Sequence, residues 1–376
     1  MRSKWFTLVF LLPVLILVAC AAPATRPTAV TTRTAPPTGT ATPSTLAPTL
    51  YVTPASGAVY ALKMANGALL WRVKPGGSAG SSPTFANGLV YVGLLDGALY
   101  ALDAATGATR WTYRTGVIEA TPAVAAGTVY VGSADHALYA INAVTGALRW
   151  RYQTGGAIIY AAPAVADNLV VVGSEDHAVY GLNATTGVLV WQYHANGEIS
   201  SPPRVADGRV FVGTYVSSGD ADFDALSANT GQLLWSSHLT FPEDSQPMVV
   251  NGVVYVGADA VYAFDAQTGQ VRWRVQPGPS EPFSTAYALS SPAVSSGVVY
   301  IGSNDHLLFA LHAGDGSTIW TYETGSNVNA PLVETGVVFV TSNRFQVFAL
   351  TSREGKLIWS YQVDSYITAS LTCTLA

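Results

Sequence analysis

Six histidines, three closely spaced aspartates, two cysteines and nine tryptophans are the residues of this 376-residue chain whose types admit chemistry. Asp220-Ala-Asp222-Phe-Asp224 sets carboxylates at alternate positions. In a loop such carboxylates gather around Ca²⁺, but the glycine and distal bidentate glutamate of an EF-hand loop are missing. The segment reads as a solvated loop beside an irregular third strand, with a calcium site as the open alternative. His136, His177 and His306 each follow an aspartate at the same point of a repeated pattern. A metal would need them to converge. Histidine tolerates the left-handed position of a tight turn, so turn chemistry is the reading. His194, His238 and His312 have no partner spacing, and neither a Gly-x-Ser-x-Gly elbow nor a phosphate loop occurs. These residues give no catalytic and no metal site.

The elements that carry them are strands. Charged residues are 11% of the chain, about half the usual share, while glycine (35) and tyrosine (19) are plentiful and methionine (3) is scarce. No apolar run in the body approaches the roughly 20 residues of a membrane helix. Net charge is −5, and −7 without the first 19 residues, which hold Arg2 and Lys4 and no acid. A chain with that charge and no basic run is a poor ligand for nucleic acid.

The amino terminus reads as an address. Arg2 and Lys4 precede an apolar stretch from Trp5 to Val18, and Leu17-Val18-Ala19-Cys20 follows. This ending resembles a bacterial lipobox, which implies that residues 1–19 are removed and that Cys20 carries the lipid. Residues 20–49 are almost wholly Ala, Thr and Pro, an extended tether that cannot bury a core. Ala21 is not the aspartate that would retain a lipoprotein at an inner membrane. With Cys20 spoken for, Cys373 is the only body thiol and reads as buried and inert.

Beyond Trp5, the tryptophans fall at 71, 111, 150, 191, 235, 273, 320 and 359. A period near 40 is the mark of a propeller, one four-stranded blade per repeat. Each of these tryptophans lies four residues after a glycine, with a lead-in clearest in Ala101-Leu-Asp103-Ala-Ala-Thr106-Gly107. The Asp or Asn can hydrogen-bond the turn and the glycine supplies positive φ. Ala-x-Asp-x-x-Thr-Gly-x-x-x-Trp is similar to the tryptophan-docking motif of the PQQ-binding-like β-propeller repeats. That resemblance implies that Trp71, Trp111, Trp150, Trp191, Trp235, Trp273, Trp320 and Trp359 each stack on the neighbouring blade's turn. Lys63, Ser227, His312 and Thr351 depart at the capping position, and Gly181 replaces the alanine.

In blade 3 the expected strands are Thr121–Ala125, Thr128–Gly132, Ala137–Ile141 and Leu148–Tyr152. The first repeat opens on a second strand at Leu50, and an inner-strand pattern, Ile367 to Thr374, is left over at the end. The expected architecture is therefore all-β: an eight-bladed β-propeller of four-stranded antiparallel blades over residues 50–376, closed by the C-terminal strand completing the first blade.

The family also contains quinoprotein dehydrogenases, whose quinone is held between a tryptophan and a vicinal disulfide beside calcium. All eight body tryptophans are taken by docking motifs, and there is neither an adjacent cysteine pair nor a Cys-x-x-Cys-His haem site. No cofactor and no enzyme activity are expected.

Function on a propeller sits in departures from the repeat. Gly213 to Ala225 spans 12 residues where Gly132 to Ala140 spans 8, and Trp273 to Pro292 spans 19 where other blades take 11 to 13. Strand direction puts both insertions on one face, with the Thr240–Asp244 connection between them. That face gathers Tyr215, Asp220, Asp222, Phe241, Glu243, Asp244, Phe283 and Tyr287 as a candidate contact surface; the plain alternative is drift of untouched loops. Nearer the axis, Glu119, Tyr160, Glu198, Tyr366 and Arg204 suit a polar mouth or simply wetted strand ends. Three classes follow. One is an interaction scaffold resembling the BamB-type propeller lipoproteins, a monomer whose partners are envelope or cell-surface proteins and, through Cys20, a membrane. Another is a ligand-binding or sensory module, and the last, disfavoured, a quinone enzyme. The expected location is extracytoplasmic, on the outer face of the cytoplasmic membrane or at an outer membrane.

Overall fold

In blade 3 the inner strand is Ala123–Ala125, followed by Thr128–Ser133, Ala137–Asn142 and the outer strand Leu148–Gln153, paired antiparallel in that order. The inner strand is shorter than its sequence pattern because Pro122 has no N–H to give the ladder. The computed structural model describes residues 47–199, 201–217, 220–239, 245–277 and 289–374, and they fall in one folded unit. Eight antiparallel sheets repeat this pattern. Neighbouring inner strands touch in succession, which arranges the blades about an axis.

The burial pattern explains the composition. Second strands are buried along their length, as in Thr128–Ser133, because each sheet is covered on both faces by its neighbours. Outer strands alternate between exposed and half-buried, as in Leu148–Gln153. The core therefore lies between blades. Tyr91, Leu99 and Ala101 of blade 2 pack against Val129, Val131, Tyr139 and Ile141 of blade 3.

All eight docking tryptophans do the same work. Each indole N–H donates to a carbonyl of the next blade's turn, from Trp191 to Ala228 at 2.8 Å to Trp235 to Ala266 at 3.2 Å, with Trp359 closing the circle on Met64 at 2.9 Å. The ring lies on the turn glycine. A Cβ built on Gly107 would stand 2.7 Å from the Trp71 ring, and φ there is 73°, so glycine is required twice over. Asp103 Oδ1 accepts from the Ala105 and Thr106 amides, as the motif requires. Where Lys63, Ser227, His312 and Thr351 replace the cap, the glycine amide still donates to that residue's carbonyl at 2.8–2.9 Å. The departures cost side-chain bonds and leave the turn intact.

Blade 1 is Thr49–Val52, Val59–Lys63 and Leu69–Val73, and Thr372–Cys373 pairs with it as the inner strand, Leu50 opposite Cys373. Thr49 and Thr374 exchange two hydrogen bonds, at 2.8 and 2.9 Å. Cys373 is buried, and that burial pushes its thiol up to about 11. The Cys20 assignment and the tether through residue 46 lie outside the described residues.

Candidate functional site

Hairpins between second and third strands share a face with the connections that enter each blade, because those connections lie on the hairpins. The amides of Leu95, Ala134, Glu175 and Asn343 donate to carbonyls of Ser78, Val117, Ala157 and Asn327 at 2.9–3.0 Å. The hairpin aspartate strengthens this seat. Asp96 accepts from the Gly77 amide and from the Tyr100 hydroxyl, and Asp176 from Gly155 and Tyr180. In the sequence Tyr139 and Tyr180 stand only as the aromatic column that Asp224 interrupts; their pairing with the hairpin aspartate was legible in the Asp-x-x-x-Tyr that recurs in blades 2, 3 and 4. His136, His177 and His306 sit at φ 64°, 66° and 71°, the turn role read for them.

Blade 5 departs from the pattern as expected in place but not in form. Its second and third strands, Arg209–Ser217 and Asp220–Ser227, stay paired nearly to their tips. The insertion is an extended hairpin, which corrects the reading of a loop beside an irregular strand. Cross-strand pairing of two added residues on each side satisfies backbone groups that a loop would leave to water. The incoming chain joins the extension, with Glu198–Ile199 pairing to Tyr215 and Thr214.

The three aspartates of the row have different partners: Asp224 the Tyr193 hydroxyl, Asp222 the Asn196 amide, and Asp220 the His238 ring. Asp224 is buried where the other blades carry tyrosine or phenylalanine, and accepts from the Tyr193 hydroxyl of blade 4 at 3.0 Å. Burial raises its pKa against hydrogen bonds from Ser236 and Tyr193, with Asp222 adding to the rise. Asp222 accepts from Asn196 at 3.1 Å. Opposite it on the outer strand stands His238, whose Nδ1 is 3.5 Å from Asp222 and Nε2 3.4 Å from Asp220. The sequence missed His238 because the pairing is set by strand register, not by spacing. Among the described residues no group of three or more His, Cys, Asp or Glu is placed to hold a metal.

Of the candidate contact residues, the structure brings Tyr215, Asp220 and Asp222 together on the blade 5 hairpin. Phe241, Glu243, Asp244, Phe283 and Tyr287 lie outside the described residues. Around the axis, Tyr160 and Tyr366 are 62% and 53% exposed in connections on this face. Leu95, Val117, Val216 and Phe345, in hairpins and connections of the same face, are exposed too. Glu175 of the blade 4 hairpin is raised in pKa by desolvation and by Glu198 and Glu119, against a lowering by His136. Three acids from different elements therefore share one field. Arg204 is half-buried at the head of its inner strand, its Nε without a partner among the described residues.

The parts that would seat a quinone do not fit. Every body indole is under a turn with its N–H bonded to a carbonyl, leaving none to stack at the axis. Cys373 is a single buried thiol against the first blade.

The family model described as outer membrane protein assembly factor BamB matches residues 18–122, 96–258, 194–295 and 259–373. By sequence, no curated protein matches the chain. In structure it is similar to BamB from Moraxella catarrhalis, with TM-score 0.66 and 21% identity over 79% of this chain and 89% of that one. The computationally designed Ika8 protein gives TM-score 0.68 and 19% identity over 84% and 93%. A quinohemoprotein alcohol dehydrogenase from Pseudomonas putida HK5 gives 0.64 and 16% over 77% and 67%. At these identities the likeness is one of fold, and it spans a protein-assembly factor, a design and an enzyme alike.

Proposed function

The chain belongs to the family of the outer membrane protein assembly factor BamB, and from that premise we propose that it is a lipid-anchored, extracytoplasmic, non-catalytic scaffold. It works as a monomer and holds an envelope or cell-surface protein against the face of hairpins and connections. The observation that carries the reading is the exposure of Tyr160 and Tyr366 in connections around the axis. Tyrosine joins a large apolar area to a polar tip and is enriched in interface cores. Leu95, Val117 and Val216 on the same face add apolar area, and Glu119, Glu175 and Glu198 make the mouth acidic, which suits an apolar partner segment with basic flanks. The absence of a fitting quinone seat supports the non-catalytic part. Cys20, after a signal that ends in a lipobox-like sequence, supplies the anchor.

Photo-crosslinking in the native envelope tests the reading. A photoreactive residue at 160, 216 or 366 should yield a discrete adduct, and one at Val188, on the outer strand side of blade 4, should not. Adducts from 188 alone would move the contact surface to the rim and overturn the assignment.

A further inference from the structure

Outer strands begin just after the docking turns, on the face opposite the hairpins, and the two positions before each tryptophan are exposed in every blade. In blades 2, 3 and 6 the nearer of these is Arg110, Arg149 or Arg272; the first and last pair with Asp103 and Asp265. Where blade 8 meets blade 1 they are all aliphatic. Leu69, Leu70, Leu357 and Ile358 are 41–49% exposed. The two strands are neighbours, since Trp359 donates to Met64 in the turn that leads to Leu69.

Two more observations fall on the same sector. The body has three lysines, Lys63, Lys74 and Lys356, and all belong to blades 1 and 8. Lys63 and Lys356 flank the aliphatic group in the two turns, with Arg353 beside them, and the only acid there is Glu354, paired with Lys356 at 2.7 Å. Turns of blades 2, 6 and 7 carry Asp103, Asp265 and Asp315 instead. The chain also enters the body here. Pro48 accepts from the Met64 amide at 3.0 Å, so residue 47 emerges against the blade 1 turn.

We propose that this blade 8–blade 1 rim is a membrane-contact surface that rests on an anionic lipid bilayer. Aliphatic side chains flanked by lysine and arginine suit the headgroup boundary, where each basic group adds about fivefold in affinity. The 27 residues from 20 to 46 have a contour length of roughly 80 Å at the polyproline rise, so an anchor at Cys20 does not by itself fix the orientation. The surface must therefore choose the orientation. Seated on this rim, the disk holds the hairpin face away from the lipid and open to a partner. The inference rests on the lipid-anchor reading only for keeping a bilayer near; the contact belongs to the folded body.

A second exposed aliphatic group serves as the control. Leu189, Val190, Leu233 and Leu234 occupy the equivalent positions of blades 4 and 5, whose turns carry no lysine or arginine. The full-length chain, reconstituted in vesicles of phosphatidylglycerol and phosphatidylcholine containing spin-labelled lipid, carries one fluorophore at Leu70→Cys or at Leu234→Cys. Buried Cys373 stays unlabelled. The fluorophore at 70 should be quenched several-fold more than that at 234. Lys63→Glu with Lys356→Glu, or vesicles of phosphatidylcholine alone, should bring it down to the level at 234. Equal quenching at the two positions, stronger quenching at 234, or quenching at 70 indifferent to both changes would overturn the proposal. If the chain does not float with vesicles, the lipid anchor is what fails. The same labels are then read on the Cys20→Ser chain mixed with the vesicles, where the same pattern is expected and its absence overturns the contact.

Discussion

At the scale of single residues, Asp224 has the clearest consequence. It stands where the other blades place an aromatic, and is buried with one hydroxyl donor from the neighbouring blade. Its pKa is raised by burial, so the folded protein binds its proton more tightly than the unfolded chain does. Protonation therefore favours folding, and the cost of the buried charge is fully present at neutral pH and shrinks as pH falls through the raised value. Asp224→Asn keeps an acceptor for Tyr193 and removes the charge. It should raise Tm at neutral pH, with the difference from wild type narrowing in acid; a Tm lowered equally at both would refute this sign. The converse case is Trp191, the most buried of the docking indoles at 6% exposure. Trp191→Ala should cost about 3–5 kcal/mol by chemical denaturation, the range for emptying a large core site. Both positions were visible in the sequence, the tryptophan by period and the aspartate as a gap in a column of aromatics. What the aspartate does there was not visible, because its partner Tyr193 comes from another blade.

At the scale of elements, the turns were legible, and so was the place of the blade 5 insertion, but its form was not. A docking turn is local: the glycine, the cap and the tryptophan lie within eleven residues, and each obeys a backbone requirement that sequence states directly. Even the substituted caps kept their turns. The blade 5 insertion depends on whether two added stretches pair with each other, which is a question of register. Ser-Ser-Gly between Val216 and Asp220 marks a turn at the tip, and Asp-x-Asp is depleted in strands, so composition favoured a loop. Cross-strand partners overruled it, Thr214 opposite Asp222 and Tyr215 opposite Ala221. Shortening this hairpin to the blade 3 length, by deleting Tyr215–Val216 and Asp220–Ala221, removes exposed Val216 and Asp220 and the partner of Glu198. Folding should survive, with Tm lowered by a few degrees at most, since the docking motif of Trp235 is untouched. Crosslinks from position 160 should weaken if the hairpin is part of the contact face. Unaltered crosslinking would confine that face to the axial tyrosines.

At the scale of the whole molecule, closure decides stability. A propeller has no central core; its apolar surface is shared between neighbours, so an open ring leaves two blade faces wet. Here the seal is a two-residue ladder, Leu50 with Cys373 and Tyr51 with Thr372, backed by the Thr49–Thr374 exchange. The segment leading to it does more than the ladder suggests. Ile367, Ala369, Leu371 and Cys373 pack in one cluster with Leu50, Leu62 and Trp359, which joins blade 8, blade 1 and the chain's end. Deleting residues 365–376 should therefore prevent folding to a monomer, because several buried side chains at about 2–5 kcal/mol each approach the total stability of a typical domain. Removing residues 21–45, the Ala-, Thr- and Pro-rich stretch, should leave Tm essentially unchanged. Should the long deletion yield no folded material at all, Ile367→Ala provides the graded measure. Ile367 is fully buried, and its truncation should cost about 2–5 kcal/mol by denaturant titration. A loss much below that, or a C-terminal deletion that melts like the tether deletion, would mean that the ring is held shut by its eight tryptophan docks without the strand.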